Sequence, residues 1–267
     1  KNKNIEGAEI LGAHLEGPFL SPLVPGAQDP SSIIPPSFEW LEPYTDLVYM
    51  ITIAPEVPGA LSFIDQVCSL TNITVSMGHT NATYEEALLG IEAGISHATH
   101  FFNAMTGLHH RNPGVVGAIL SSNHVTCELI ADTIHVHPGL FSLLLKTKGA
   151  EDLVLITDCV PPAGLPDGTY LKGERWIESK DGQIRLPDGT LSGSSLRLNQ
   201  GVNNFKQHTN CSISEAIQLA SLNPAKVIGL DNKKGSLELG KDADIAVFDV
   251  NFNTLLTFVN GNLVYRR

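Results

Sequence analysis

Six short apolar segments recur along the chain, each followed by a helical or looping stretch, and this rhythm limits the fold more than any other feature. They cover residues 10–19, 47–56, 73–81, 95–99, 125–132 and 153–158. The second is almost continuously apolar, as a strand buried on both faces of a parallel sheet must be. Helix signals stand between the strands. Thr83-Tyr84-Glu85-Glu86 reads as a capping box, and Gly94 as the stop of the helix it opens. Residues 59–70 and 138–147 are also expected to be helical. Strand and helix in series give an α/β fold with a parallel sheet. Their spacing favours a (β/α)8 barrel of the TIM type over a doubly wound sheet, and no GxGxxG or P-loop argues for a nucleotide. A closed barrel of this type has eight strands. We therefore expect an incomplete barrel whose first two strands lie upstream of Lys1. Residues 1–4 start without Met and lead into no apolar stretch, so they do not read as a signal peptide.

What stands at the strand ends gives the chemistry. Glu16 precedes Gly17-Pro18, which stops its strand at once, and His79, His100 and Asp158 occupy the same place on three other strands. Catalytic groups of a barrel sit at that end. Taken singly, each is as well explained by packing or by solvent; four strand ends that agree point to one shared mouth. Two His and one carboxylate form a metal site with positions left open for water and substrate. Such a metal is a Lewis acid and lowers the pKa of bound water towards about 7. Asp158 is then placed to take a proton from that water and hand it to a leaving group. His14 lies two residues before Glu16 on the same strand face, where it lines the barrel or packs.

Residues 21–43 are rich in Pro and Ser and read as a long loop. Beyond Val160 the pattern changes. Residues 178–184 form a hairpin about an Asp-Gly turn. Residues 191–195 are a loop of small side chains, Ser212 to Glu215 is a second capping box, and Pro224 sits at the first position of a further helix. Short strands near the C-terminus suit a small β appendage. We divide the chain into a partial barrel, 1–230, and a C-terminal β segment, 231–267. The formal charge of −11 argues against nucleic acid or an anionic membrane as partner. No apolar run approaches the roughly 20 residues of a membrane helix. Cys68, Cys127, Cys159 and Cys211 are far apart in sequence and read as reduced, mostly buried thiols of a cytoplasmic protein.

These motifs resemble one family. His14-Leu15-Glu16-Gly17-Pro18-Phe19, Gly78-His79-Thr80-Asn81-Ala82-Thr83, Ala98-Thr99-His100 with Phe102-Asn103-Ala104-Met105, Thr157-Asp158 with Pro162-Ala163-Gly164, and Leu191-Ser192-Gly193-Ser194-Ser195 stand in the order found in the N-acetylglucosamine-6-phosphate deacetylases of the amidohydrolase superfamily. The likeness covers essentially the whole chain. It implies a single divalent metal on Glu16, His79 and His100, zinc first, with iron, manganese and cobalt also compatible with N/O ligands. It implies attack of metal-bound hydroxide on the acetamide carbonyl, Asp158 as base and then acid, and the products glucosamine 6-phosphate and acetate. Asn103 and the Ala104 backbone resemble sugar-phosphate contacts. Arg111 resembles an arginine that reaches the phosphate held by the other subunit of a homodimer, and His135 a substrate-binding histidine. Leu191 and Ser192 lie in a loop that closes over the acetyl group. His109, His110 and His137 match nothing and read as loop residues.

At position 28 the family usually has a His that helps polarise the carbonyl; this chain has Gln28. Its amide can still donate to a developing oxyanion, but it cannot become cationic. The absent first strands imply unpaired sheet edges. Two rival readings are another amidohydrolase, dihydroorotase-like or an amino-acid deacetylase, and a sugar-phosphate-binding protein without catalysis. The phosphate loop 103–111 argues against the first, and the complete set of ligands with Asp158 against the second.

Overall fold

The computed structural model describes residues 7–267. Residues 1–4, for which a signal peptide was not expected, lie outside the described residues. Six strands form one parallel sheet in sequence order: β1 (Ala13–Glu16), β2 (Val48–Ile53), β3 (Thr74–Met77), β4 (His97–Ala98), β5 (Thr126–Ile130) and β6 (Leu153–Ile156). This is an incomplete barrel. Among the described residues β1 and β6 each pair on one side only, as expected for a barrel short of two strands.

The helices arise where the sequence places them. α1 (Phe38–Leu41) breaks the loop 21–43 and is capped by the Ser37 side chain, so that stretch is not wholly irregular. α2 (Ala60–Leu70) buries Ala60, Phe63, Ile64 and Val67, an i, i+3, i+4, i+7 stripe that faces the core. α3 (Tyr84–Glu92) carries the capping box, with Thr83 and Glu86 bonded reciprocally. Gly94 follows it at φ +126°, where a Cβ would lie 2.6 Å from Cys68 Sγ. α4 (Gly114–Ser121), α5 (Phe141–Lys148) and α6 (Leu198–His208) continue the outer layer, in which each helix from α2 to α6 touches the next. α7 (Ile213–Gln218) has the second capping box. α8 (Leu222–Val227) starts two residues before Pro224, so the proline is third rather than first in that helix. It still falls in the first turn, where a backbone N–H has no intrahelical partner to lose.

Two smaller sheets follow β6. β7 (Gly168–Lys172), β8 (Arg175–Lys180), β9 (Gln183–Arg185) and β10 (Leu191–Ser194) form an antiparallel meander. The expected hairpin is its centre: Lys180 pairs with Gln183 across Asp181 and Gly182, both at positive φ. The expected loop 191–195 is largely strand, because residues 191–194 bury alternate side chains and pair with β9. β11 (Ile245–Phe248), β12 (Thr254–Val259) and β13 (Asn262–Arg266) make the C-terminal sheet. Cys127 and Cys211 are buried, but Cys68 and Cys159 are exposed, so only half of the thiols are sequestered. Among the described residues no helix is long and apolar enough to cross a membrane.

Candidate metal centre and active site

The strand ends converge. Glu16 leaves β1, His79 lies two residues past β3, His100 two past β4 and Asp158 two past β6. His79, His100 and Asp158 all have left-handed backbones, at φ +48°, +30° and +48°. Non-glycine residues rarely sit there, and such strain gathers at functional sites. The bends turn each side chain out of its strand and over the sheet's end.

Glu16 is the hub. Its Oε1 lies 2.9 Å from His79 Nε2 and 2.9 Å from His100 Nε2, and its Oε2 accepts a 2.5 Å bond from the Gln28 amide. The two Nε2 atoms are 3.1 Å apart. Burial pushes the Glu16 carboxyl up, but hydrogen bonds from His100 and His79 outweigh it and hold the group far below the usual carboxylate range. Burial pushes His100 down, yet the hydrogen bond and charge of Glu16 raise it above its ordinary value.

This donor set suits a divalent cation. His79 Nδ1 lies 3.3 Å from the Val24 carbonyl, which holds a proton on that nitrogen and would leave Nε2 free to ligate an ion in place of its bond to Glu16. Two imidazole nitrogens and a carboxylate oxygen that face one another this closely repel unless a proton or a cation lies between them. Glu16, His79 and His100 can supply one ligand atom each to the same ion.

Asp158 shares a cavity of about 510 Å³ with Glu16, His100, His14 and Glu128. Burial, reinforced by the charge of Glu16, raises its proton affinity, although His100 opposes the shift. Its carbonyl accepts from the Ser194 backbone N–H at 2.7 Å, and the Ser194 hydroxyl donates to the Thr157 carbonyl. β10 therefore props the tip that carries Asp158. Leu191 and Ser192 belong to that strand, and Ser192 lies 3.5 Å from Lys172 Nζ.

The other expected site residues are placed less uniformly. The Asn103 amide donates to the carbonyls of His100 and Phe101, so it braces the ligand loop. Ala104, at φ +50°, accepts from the Thr80 backbone. His135 is oriented by Asp132, whose carboxylate takes its Nδ1–H at 2.6 Å and two backbone N–H bonds. Arg111 is exposed and its guanidinium bonds His110, with no hydrogen bond to the cluster. His14 lines the cavity, as one of its two readings had it, and is hydrogen-bonded to Thr52 at 2.7 Å. Thr52, Thr99 and Ser76 continue that line as a floor of hydroxyls.

Glu128 was not foreseen. It is buried on β5, accepts the His100 backbone N–H at 2.9 Å, and sits 3.2 Å from His97 Nε2. Burial pushes its carboxyl up, but the close approach of His97 Nε2 keeps it low. One charge inside an apolar strand was the sequence signal for it. Asp132, three residues before His135, carried the weaker signal of an Asx turn.

The profile of the amidohydrolase family matches residues 3–264. The N-acetylglucosamine-6-phosphate deacetylase of Bacillus subtilis is 40% identical over 271 residues, covering 99% of this chain and 68% of that protein. The chain belongs to the N-acetylglucosamine-6-phosphate deacetylases of the amidohydrolase family. This amidohydrolase superposes on the deacetylase of Thermotoga maritima with a TM-score of 0.91 at 38% identity, covering 96% of this chain and 70% of that one. A Mycobacterium smegmatis deacetylase variant, solved in complex with N-acetyl-D-glucosamine-6-phosphate, gives 0.90 at 34%, covering 95% and 68%. The amidohydrolase thus spans about two thirds of the length of these relatives.

Proposed function

We propose that this protein hydrolyses the acetamide of N-acetylglucosamine 6-phosphate to glucosamine 6-phosphate and acetate. The observation that carries the reading is Asp158, a carboxyl of raised proton affinity, in one cavity with the Glu16, His79 and His100 donor set. Glu16, His79 and His100 would hold one divalent ion, zinc first, with iron, manganese and cobalt compatible; it supplies a Lewis acid for the carbonyl and lowers the pKa of water. Asp158 takes a proton from the attacking water as its oxygen bonds to the carbonyl carbon. It returns that proton to the nitrogen as the C–N bond breaks, so the amine leaves neutral. His135, held by Asp132, and Asn103 with Ala104 bind the sugar phosphate. Arg111 is exposed and carries the planar fork that suits phosphate, in keeping with a homodimer in which it reaches the partner's substrate. Leu191 and Ser192 flank the acetyl group beside Asp158.

Acetate release with zinc supplied, from N-acetylglucosamine 6-phosphate and from its unphosphorylated analogue, tests the reading. Release from the phosphate alone is expected; equal release from both would remove the phosphate pocket from the account. Gln28 gives a second expectation. Its amide is engaged by Glu16, and it carries no charge to place on a carbonyl. Gln28→His should raise turnover about tenfold, a fraction of the roughly 10²–10³ that a whole oxyanion donor is worth. An unchanged turnover number would exclude position 28 from carbonyl polarisation.

A further inference from the structure

The four-stranded sheet β7–β10 touches both walls of the site. On one side, β10 bonds the Asp158 tip through Ser194. On the other, the Arg175 guanidinium on β8 donates to the Ala27 and Gln28 carbonyls, both at 3.1 Å. The sheet's small apolar core, Ile177, Ile184 and Leu186, packs against Val160 from the first wall and Ala27 from the second. Segment 24–28 is itself the outer shell of the metal centre. Val24 fixes the His79 Nδ1 proton, and Gln28 bonds Glu16. Gly26, at φ +58°, fits so closely that a Cβ there would lie 3.0 Å from His79 Cε1. Four hydrogen bonds and the packing of Ala27 thus hold a short segment between the metal ligands and the sheet.

We propose that Arg175 is a positioning residue for the metal centre: by clamping the carbonyls of residues 27 and 28, it fixes the segment that orients His79 and Glu16. The inference rests on the metal centre of the proposed function, not on its substrate. Its two hydrogen bonds come from one charged, planar donor, stronger than neutral bonds and hard to replace by an aliphatic chain. Loss of an outer-shell partner typically weakens metal affinity by roughly 10–100-fold.

The test is zinc affinity of the whole chain, measured by chelator competition without substrate, so that a wrong substrate assignment leaves the result untouched. Arg175→Met should weaken zinc binding about tenfold with little change in melting temperature. Arg175→Lys, which keeps a charged donor, should recover part of that loss, and it serves as the primary variant if the Met protein does not fold. Arg185→Met is the control. Arg185 bonds Gln183 and Gly189 within the same sheet and makes no hydrogen bond to segment 24–28. It should lower the melting temperature of the sheet and leave zinc affinity as it was. Unchanged affinity in both Arg175 variants would overturn the proposal. So would an equal loss in Arg185→Met, because the sheet as a whole, and not the clamp, would then be the support.

Discussion

Asp158→Asn should lower acetate release by roughly 10²–10⁴-fold, the usual worth of a positioned acid–base group, while the bound zinc remains. The change is isosteric, and Asn tolerates the left-handed backbone that Asp158 adopts at φ +48°. The contact from Ser194 is to the residue's carbonyl and survives the substitution. What is lost is the ability to accept and return a proton. The same group sets the acid side of the pH profile. Burial raises the Asp158 carboxyl above its ordinary value, and the base must be ionised to act. Activity therefore falls as pH drops through that raised pKa, at a pH above the roughly 3.9 of a free aspartate. An Asn variant that keeps its rate and its acid limb would remove Asp158 from the chemistry.

Glu16→Gln should abolish stoichiometric zinc binding, a larger effect than the roughly 10–100-fold cost of an outer-shell change. The substitution keeps shape but replaces the negative ligand by a neutral amide. Glu16 meets His79, His100 and Gln28 together. Without its charge the two imidazoles, 3.1 Å apart, have no anion to offset their approach. Zinc content by elemental analysis after dialysis reads this directly. A Gln variant that retained one zinc per chain would move the metal to other ligands.

Much of this was legible before any coordinates. Thr83 with Glu86 and Ser212 with Glu215 marked helix starts because capping is a local hydrogen-bonding rule. Glu16, His79, His100 and Asp158 were legible because the end of a parallel strand is a fixed address in this architecture. What escaped depends on distant partners. Residues 191–194, a leucine followed by Ser-Gly-Ser, have little strand preference of their own and become strand by pairing with β9 and bonding the Asp158 tip. Nothing local shows that Arg175 reaches residues 27 and 28. Ser37 before Phe38 was a readable cap that the surrounding prolines obscured.

The left-handed bends at His79, His100 and Asp158 carry a cost in robustness. Strained backbone of this kind costs about 1–3 kcal/mol per residue. Three such residues together approach the roughly 5–15 kcal/mol that separates a folded domain from its unfolded chain. Selection for durability alone would have relaxed these tips to glycine or straightened them. Their presence marks a chain that holds its ligand and acid–base geometry at a cost in stability.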